Sequence, residues 1–251
     1  MEIAPDLSPA MLSELLPERE IRSYPALLST EADAQSWARQ GAPTGALVVA
    51  DYQASPRGRA GFEWVVTPGR TLAFSLVVRP TMKAEREGWL YTAATSGVAD
   101  IVGEDVAIEW PDALFVDERV AARVGVHAEL GSNVVLWAVV NVLIPDAEPP
   151  RGPLLARIVS AIEARMEAPT DEVLRDYLPR LRTIGRGVRA RMIPLGPGGP
   201  QVTGKAVGSL MDGALLLETP KGNRVAIRPQ NLGILDDWTG DDQDSEPASA
   251  F

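Results

Sequence analysis

Apolar runs separated by polar turn residues divide the first half of the chain into alternating strands and helices. Short continuous apolar runs predict buried strands at Ile21–Tyr24, Leu47–Ala50 and Leu72–Val78. Thr30, with Asp33 three positions later, resembles a capping box and predicts a helix over about Glu31–Gln40. Apolar positions at helical spacing predict another helix over residues 84–102, and a following glycine ends each of the two. Alternation between apolar and polar positions is poor in these strands, so we expect both faces of the sheet to be covered.

A second group of strands follows these two helices. The turn residues Gly131-Ser132-Asn133 separate the last two of them. The predicted strands of this group are Val106–Trp110, Leu114–Val116, Val120–Leu130 and Val134–Leu143. Strands interleaved with helices and followed by antiparallel strands predict an α+β fold, a mixed or antiparallel sheet with helices packed on one side.

The pattern changes twice in the second half of the chain. A proline-rich hinge at Pro149–Pro153 precedes two predicted helices, the second over about Asp171–Leu181. Short β runs then recur with turn signals at roughly ten-residue spacing, which predicts a small β-barrel. We therefore expect a lead-in over residues 1–20, an α+β domain over 21–184, a small C-terminal β-barrel over 185–235 and an acidic disordered tail over 236–251.

Composition excludes several classes of function. The formal charge of −10 and pI near 4.7 argue against a nucleic-acid-binding surface. The chain has no cysteine, which excludes thiolate chemistry, and its one histidine, His127, makes a histidine metal cluster or a Ser-His-Asp triad unfavourable. His127 alternates with apolar strand residues and is interpreted as a hydrogen-bonded sheet residue. The sequence shows neither the basic and apolar pattern of a signal peptide nor an apolar run long enough for a membrane span. A cytoplasmic protein without a membrane partner is therefore expected.

The segment Asp51–Trp64 is the strongest candidate site in the chain. It places Arg57 and Arg59 among glycine and proline residues directly after a buried strand. Exposed backbone N–H groups and guanidinium groups suit phosphate or carboxylate oxygens, so the loop is a candidate anion site. The alternative is an ordinary surface loop with two solvated arginines.

Four motifs in this order resemble those of the biotin and lipoate protein ligase family over roughly residues 21–235. Ser29-Thr30 is similar to the family's Ser-Thr-Asn segment, although these residues also fit a simple helix cap. The segment from Tyr52 to Trp64 resembles its GRGRRGR loop, and Glu109–Asp112 resembles its KWPN segment. Residues 208–218 resemble its small β-barrel. The DNA-binding N-terminal domain of some members is expected to be absent, which agrees with no nucleic-acid partner.

The resemblance implies acyl-adenylate chemistry. Biotin or lipoate would be activated with ATP and Mg²⁺, and a lysine of a biotinyl or lipoyl carrier domain would then attack the adenylate. Ser29, Thr30 and Gln53 would face the head group of the acid. The other implied ligand-binding residues are Arg57, Gly58 and Arg59 at the carboxylate and phosphate, Trp64 and Asn141 near the nucleotide, and Gly125 in the strand that carries the family's essential lysine. No metal-ligating residue of this chain is predicted.

The departures from the family pattern concern the adenylation machinery. Pro56, Ala60 and Phe62 replace a glycine and two arginines of the loop. The family's essential lysine falls on Val120, or on Ala122 when an insertion is allowed, and neither side chain carries charge. Arg119 or Arg123 is the candidate replacement, although a guanidinium is bulkier than an ammonium. Bulky Trp137 and Val139 replace glycines in the neighbouring strand, which is expected to block adenine.

Three functional hypotheses remain open at this stage. The chain is a working biotin or lipoate ligase in which an arginine replaces the lysine, or a degenerate relative that binds the acid or its adenylate without making the carrier amide. The third hypothesis is a non-catalytic scaffold or regulatory protein that uses the ligase fold to bind a protein partner. Homodimerisation is also left open.

Overall fold

The computed structural model describes residues 3–240. The chain forms five α-helices within these residues: α1 Pro9–Leu15, α2 Thr30–Arg39, α3 Trp89–Val102, α4 Arg151–Glu167 and α5 Thr170–Arg180. The strands of the larger sheet are β1 Ile21–Tyr24, β2 Leu47–Ala50, β3 Leu72–Val78, β4 Ala107–Glu109, β5 Ala113–Val116, β6 Arg119–Leu130 and β7 Val135–Ile144. The strands of the smaller sheet are β8 Gly187–Met192, β9 Gln201–Ser209, β10 Leu215–Glu218, β11 Arg224–Ile227 and β12 Leu232–Asp237.

The larger sheet has seven strands in the order β1-β2-β3-β7-β6-β5-β4. Strands β1 and β2 run parallel, and the remaining neighbours are antiparallel. The long central strands β6 and β7 pair with Gly125 opposite Asn141, and β3 places Ser75 opposite the same asparagine. The predicted α+β class with a mixed sheet is confirmed, and these three central strands bring distant polar residues together.

Helices cover both faces of the larger sheet. Leu76 and Val140 face the main core, where they pack with residues of α3 and α4 such as Leu90 and Ile158. Residues of opposite parity face α2 instead, in a second cluster that contains Ala34, Ala38, Val48, Val77, Trp137 and Val139. The predicted placement of the helices on one side is therefore wrong for α2. The physical reason is the continuous apolar character of β2, β3 and β7, because each face of these strands needs a covering element.

The first residues of the chain belong to this core. Leu7, Leu12 and Leu16 of the lead-in are buried against the larger sheet. The predicted proline-rich hinge is wrong, because α4 begins at Arg151 and tolerates Pro153 in its first turn. Arg151 lies under the lead-in and is 1 % exposed.

Arg151 forms a buried ion-pair network at the base of the candidate loop. Its guanidinium group donates to Asp6 at 2.9 Å and to Asp51 Oδ1 at 2.6 Å. Asp51 also accepts the backbone N–H of Gly69 at 3.1 Å, and Arg151 donates to the carbonyl of Thr71 at 3.1 Å. The network therefore connects the lead-in, the start of α4 and the first residue of the loop.

The C-terminal strands form a separate antiparallel sheet in the order β11-β10-β9-β8-β12. The two edge strands of this sheet, β11 and β12, do not pair with each other within residues 3–240. Closure of the sheet into the predicted barrel is therefore not observed. Strand β12 was not predicted from the sequence. It continues to Asp237, so the predicted tail, which begins at residue 236, starts inside this strand. The rest of that tail, residues 241–251, lies outside the described residues.

The two sheets are joined by close backbone contacts. The indole Nε1 of the buried Trp110 donates to the carbonyl of Gly213 at 3.0 Å. A Cβ added to Gly213 would lie 2.3 Å from the carbonyl oxygen of Gly88, so a side chain has no room there. Over residues 3–240, no helix is long and apolar enough to cross a membrane.

Candidate functional site

The loop between β2 and β3 has a defined conformation that depends on Gly58. The backbone N–H of Gly58 donates to the carbonyl of Phe62 at 2.8 Å, and Gly61 donates to the carbonyl of Gly58 at 3.1 Å. A Cβ at position 58 would lie 2.2 Å from the indole Nε1 of Trp64, so only glycine lets the ring pack on the backbone here. The same indole lies close to Gly125 on β6. Trp64 therefore holds the loop against the sheet.

Arg59 is committed to contacts within the protein. Its Nε donates to Asp112 Oδ2 at 2.9 Å, and Nη1 donates to the carbonyls of Leu232 and of Gly233, the latter at 2.9 Å. The Arg59 side chain is only 10 % exposed, and that of Asp112 is 17 % exposed. Arg59 thus ties the loop both to the Trp-Pro-Asp segment and to the smaller sheet.

Arg57 has the opposite character. Its guanidinium group is 49 % exposed, donates to the carbonyl of Gly61 at 2.9 Å and lies 3.7 Å from the exposed carboxylate of Glu63. Such a solvent-screened ion pair contributes little to the free energy of unfolding. Arg57 is therefore the loop cation that remains available to an anionic ligand.

A buried polar network lies beneath the loop and links α2 to the central strands. Gln53 Oε1 accepts the backbone N–H of Thr30 at 2.8 Å. Ser75 Oγ lies 2.9 Å from Thr30 Oγ1 and 2.7 Å from Asn141 Oδ1. Ser75 was missed by the sequence analysis, because a lone serine in an apolar strand gives no signal. Ser29 caps α2 through the backbone N–H of Ala32 at 3.4 Å, which corrects the predicted capping by Thr30.

A cavity of about 410 Å³ opens between the loop, α2, α3 and strands β6 and β7. Its lining includes the backbone of the loop on one side and the central strands on the other. The predicted ligand-binding residues that line it are Arg57, Gly58, Arg59, Gly125 and Asn141. Ser29, Thr30, Gln53 and Trp64 lie in neighbouring positions and are not part of its wall. The cavity also contains residues that sequence reasoning did not assign to a site, namely Glu31, Glu87, Tyr91, His127 and Gln230.

The charged groups of this cavity are two carboxyl groups and two guanidinium groups, and one of the latter, that of Arg59, is already paired with Asp112. Burial raises the pKa of Glu31, against hydrogen bonds from Gln35 and Asn141, and burial also raises the pKa of Glu87. Burial lowers the pKa of His127, and the nearby Arg39 lowers it further, so this imidazole is neutral at pH 7. The cavity therefore offers one available guanidinium group, two carboxyl groups and a neutral imidazole.

Neither of the predicted replacements for the family lysine lines this cavity. Arg119 is exposed at the start of β6 and does not line the cavity. Arg123 lies on the same strand face as Gly125 and borders an adjacent smaller cavity that contains Arg59 and Asp112. Ala122, one of the two positions matched to the lysine, is buried in the main core.

Trp137 and Val139 do not fill the space below the loop. Both side chains pack toward α2 in the second core cluster. Phe62 is 43 % exposed at the outer side of the loop. The cavity is therefore open, and the expected obstruction of adenine by Trp137 and Val139 stays a prediction. Within residues 3–240, no group of three or more His, Asp or Glu side chains is arranged to hold a metal ion.

No model of a protein family matches the chain. The chain is 30% identical over 227 residues to the biotin--[acetyl-CoA-carboxylase] ligase of Mycobacterium tuberculosis, and the match covers 79% of this chain and 82% of that protein.

Solved structures agree with this similarity at the level of the fold. The biotin protein ligase from Aquifex aeolicus in complex with biotin and ATP has a TM-score of 0.66 at 20% identity, covering 87% of this chain and 99% of that one. The biotin acetyl coenzyme A carboxylase synthetase from Helicobacter pylori with bound biotinylated ATP has a TM-score of 0.59 at 17% identity, covering 83% and 100%. On the strength of the sequence match, the chain belongs to the biotin protein ligase family.

Proposed function

We propose that this chain binds a biotin-like carboxylic acid in the 410 Å³ cavity without activating it for transfer to a carrier lysine. The proposal rests on one observation, the different environments of the two loop arginines. Arg57 is available at the cavity wall, whereas Arg59 is held by Asp112 and two carbonyl groups. One available guanidinium group matches one carboxylate.

The remaining wall suits the uncharged part of such an acid. Gly125 presents bare backbone to the cavity, and Asn141 and His127 add polar groups that can orient a head group. Ser75 and Thr30 support Asn141 from behind through the buried polar network. A head group would therefore meet side chains whose orientation is already fixed.

ATP fits this donor set poorly. A bound triphosphate would bring about four negative charges next to Glu31 and Glu87, with Arg57 as the available cation. The three lysines of the sequence, Lys83, Lys205 and Lys221, are absent from the cavity wall. These features support binding of the acid and not its adenylation, with Arg119 and Arg123 acting as ordinary surface and strand residues.

Biotin is expected to raise the thermal unfolding midpoint of the protein, and the Arg57→Ala variant should abolish that rise. Binding to the folded state stabilises it by RT ln(1 + [L]/Kd), about 2.7 kcal/mol at a hundredfold excess over Kd. Arg70→Ala is the matched control, because Arg70 is an exposed arginine of the same β2–β3 connection that pairs with Asp146. An unchanged midpoint shift in Arg57→Ala would place the ligand elsewhere.

ATP–pyrophosphate exchange is expected to stay at background with biotin, lipoate and octanoate. The physical reason is the missing positive charge where the α-phosphate and the leaving group would develop charge. The M. tuberculosis relative, assayed in parallel, serves as the reference reaction. Exchange above background with any of the three acids would overturn the claim that activation is lost, and it would favour a working ligase.

A further inference from the structure

His127 lies on the wall of the cavity and not within an ordinary stretch of sheet. It faces the same side of β6 as Gly125, opposite Val139 on β7. Its ring lies 5.8 Å from the ring of Trp137 at an interplanar angle of 32°. Arg39 of α2 lies over the same indole, 5.5 Å from the ring centroid. Trp137 is therefore held by α2 and in turn limits the orientations of the imidazole.

The imidazole nitrogens have no hydrogen-bond partner among the described residues. The neutral ring carries one donor and one acceptor. No group within residues 3–240 satisfies either, since the neighbours of His127 are the indole ring of Trp137 and the charges of Arg39 and Glu129. Neither imidazole nitrogen is fully buried, so both are reachable from the cavity, and a ligand bound there can exchange hydrogen bonds with them.

We propose that His127 contacts the bound acid and determines which acid the cavity prefers. The imidazole exchanges hydrogen bonds with a polar head group, so the cavity favours an acid with such a head group over one that ends in an alkyl or dithiolane group. This inference rests on the proposed binding of an acid in the same cavity. Biotin carries a cyclic urea with donors and acceptors, whereas octanoate and lipoate offer only apolar groups at that end. The imidazole therefore discriminates among acids that share the carboxylate held by Arg57.

The single histidine makes this proposal directly measurable. In NMR spectra of protein prepared without a histidine tag, the imidazole resonances belong to His127 alone. Titration with biotin should shift these resonances with the same midpoint as the thermal-shift titration. Octanoate should bind more weakly and shift them less.

Substitution separates contact from mere proximity. His127→Leu should weaken biotin binding by about tenfold, the value of one lost hydrogen bond near 1.4 kcal/mol, while octanoate binding stays unchanged or improves. His127→Gln, which keeps a donor and an acceptor, should retain more of the preference for biotin. Arg119→Gln is the matched control, because Arg119 is exposed at the start of the same strand and does not line the cavity.

The outcomes distinguish this proposal from the function on which it rests. A biotin-induced rise in unfolding midpoint without any change in the imidazole resonances overturns the role of His127 and leaves acid binding intact. Equal loss of biotin and octanoate binding in His127→Leu also overturns it, because that result indicates a structural effect. Absence of both signals with every acid overturns both proposals.

Discussion

Replacing Arg151 by alanine is expected to lower the free energy of unfolding by about 3–5 kcal/mol, because the variant leaves the buried carboxylate of Asp51 and the partly buried one of Asp6 without their partner. Arg151 is 1 % exposed and holds Asp6 and Asp51 with three hydrogen bonds between 2.6 and 2.9 Å. The loss is large since total stability of such a protein is only about 5–15 kcal/mol. Urea unfolding followed by circular dichroism measures it.

Arg70→Ala is the control for this loss. Arg70 also forms an ion pair at 2.8 Å, with Asp146, but both side chains are more than two thirds exposed. Solvent screening limits such a pair to about 0–1 kcal/mol. A loss below 1 kcal/mol in Arg151→Ala would contradict the central role of the buried network.

The same network predicts an acid dependence of stability. Hydrogen bonds from Arg151 lower the pKa of Asp6, against the opposing effect of burial. A carboxyl group whose folded pKa is lowered stabilises the protein above its unfolded pKa of about 3.9, and this contribution is lost as the pH falls through the folded value. Asp6→Asn should therefore unfold at a lower urea concentration at pH 6 and show a shallower loss of stability below pH 4.

Asp112→Ala should destabilise the protein by about 2–3 kcal/mol and weaken biotin binding by about tenfold. The variant leaves the guanidinium group of Arg59 nearly buried without its counter-charge. The loop then loses its attachment to the Trp-Pro-Asp segment, and a bound ligand has to order it. Hydrogen exchange of the loop amides of Gly58 and Phe62 should rise, while exchange in α4 stays slow.

Glu63→Ala provides the matched comparison within the same loop. It removes the exposed partner of Arg57, whose 3.7 Å ion pair is screened by solvent, so a change below about 0.5 kcal/mol is expected. A double-mutant cycle between Arg59→Ala and Asp112→Ala isolates their coupling. Zero coupling, or unchanged loop exchange in Asp112→Ala, would show that the ion pair does not hold the loop.

Local patterns predicted the regular elements well. The strands Leu47–Ala50 and Leu72–Val78 begin and end where their apolar runs do. Errors arose where tertiary contacts override local signals: Pro149–Pro153 contains the start of α4, because a proline in the first helical turn costs no backbone hydrogen bond. Strand β12 was missed because its acidic end reads as a polar tail, although Asp236 pairs with Arg191.

The candidate site was predictable only as far as its motifs. Arg57, Gly58 and Asn141 were assigned from family resemblance, and they line one cavity. The contacts that decide their roles are long-range and leave no local pattern. Asp112 lies 53 positions after Arg59, and Ser75 meets Asn141 across 66 positions. His127 was predicted only as an ordinary sheet residue. The alternation of apolar and polar residues shows on which side of the strand His127 lies, but not that this side faces a cavity.

The bond from Arg59 to the backbone of Leu232 spans 173 positions of the chain. During synthesis, the strands and helices of the larger sheet can form long before Leu232 has been added. The loop acquires its final shape only after that residue arrives, because the carbonyls that receive Arg59 belong to the last strand. Contacts of such high sequence separation form late and slowly. The loop at the cavity wall therefore reaches its final contacts only after residues 232 and 233 have been synthesised.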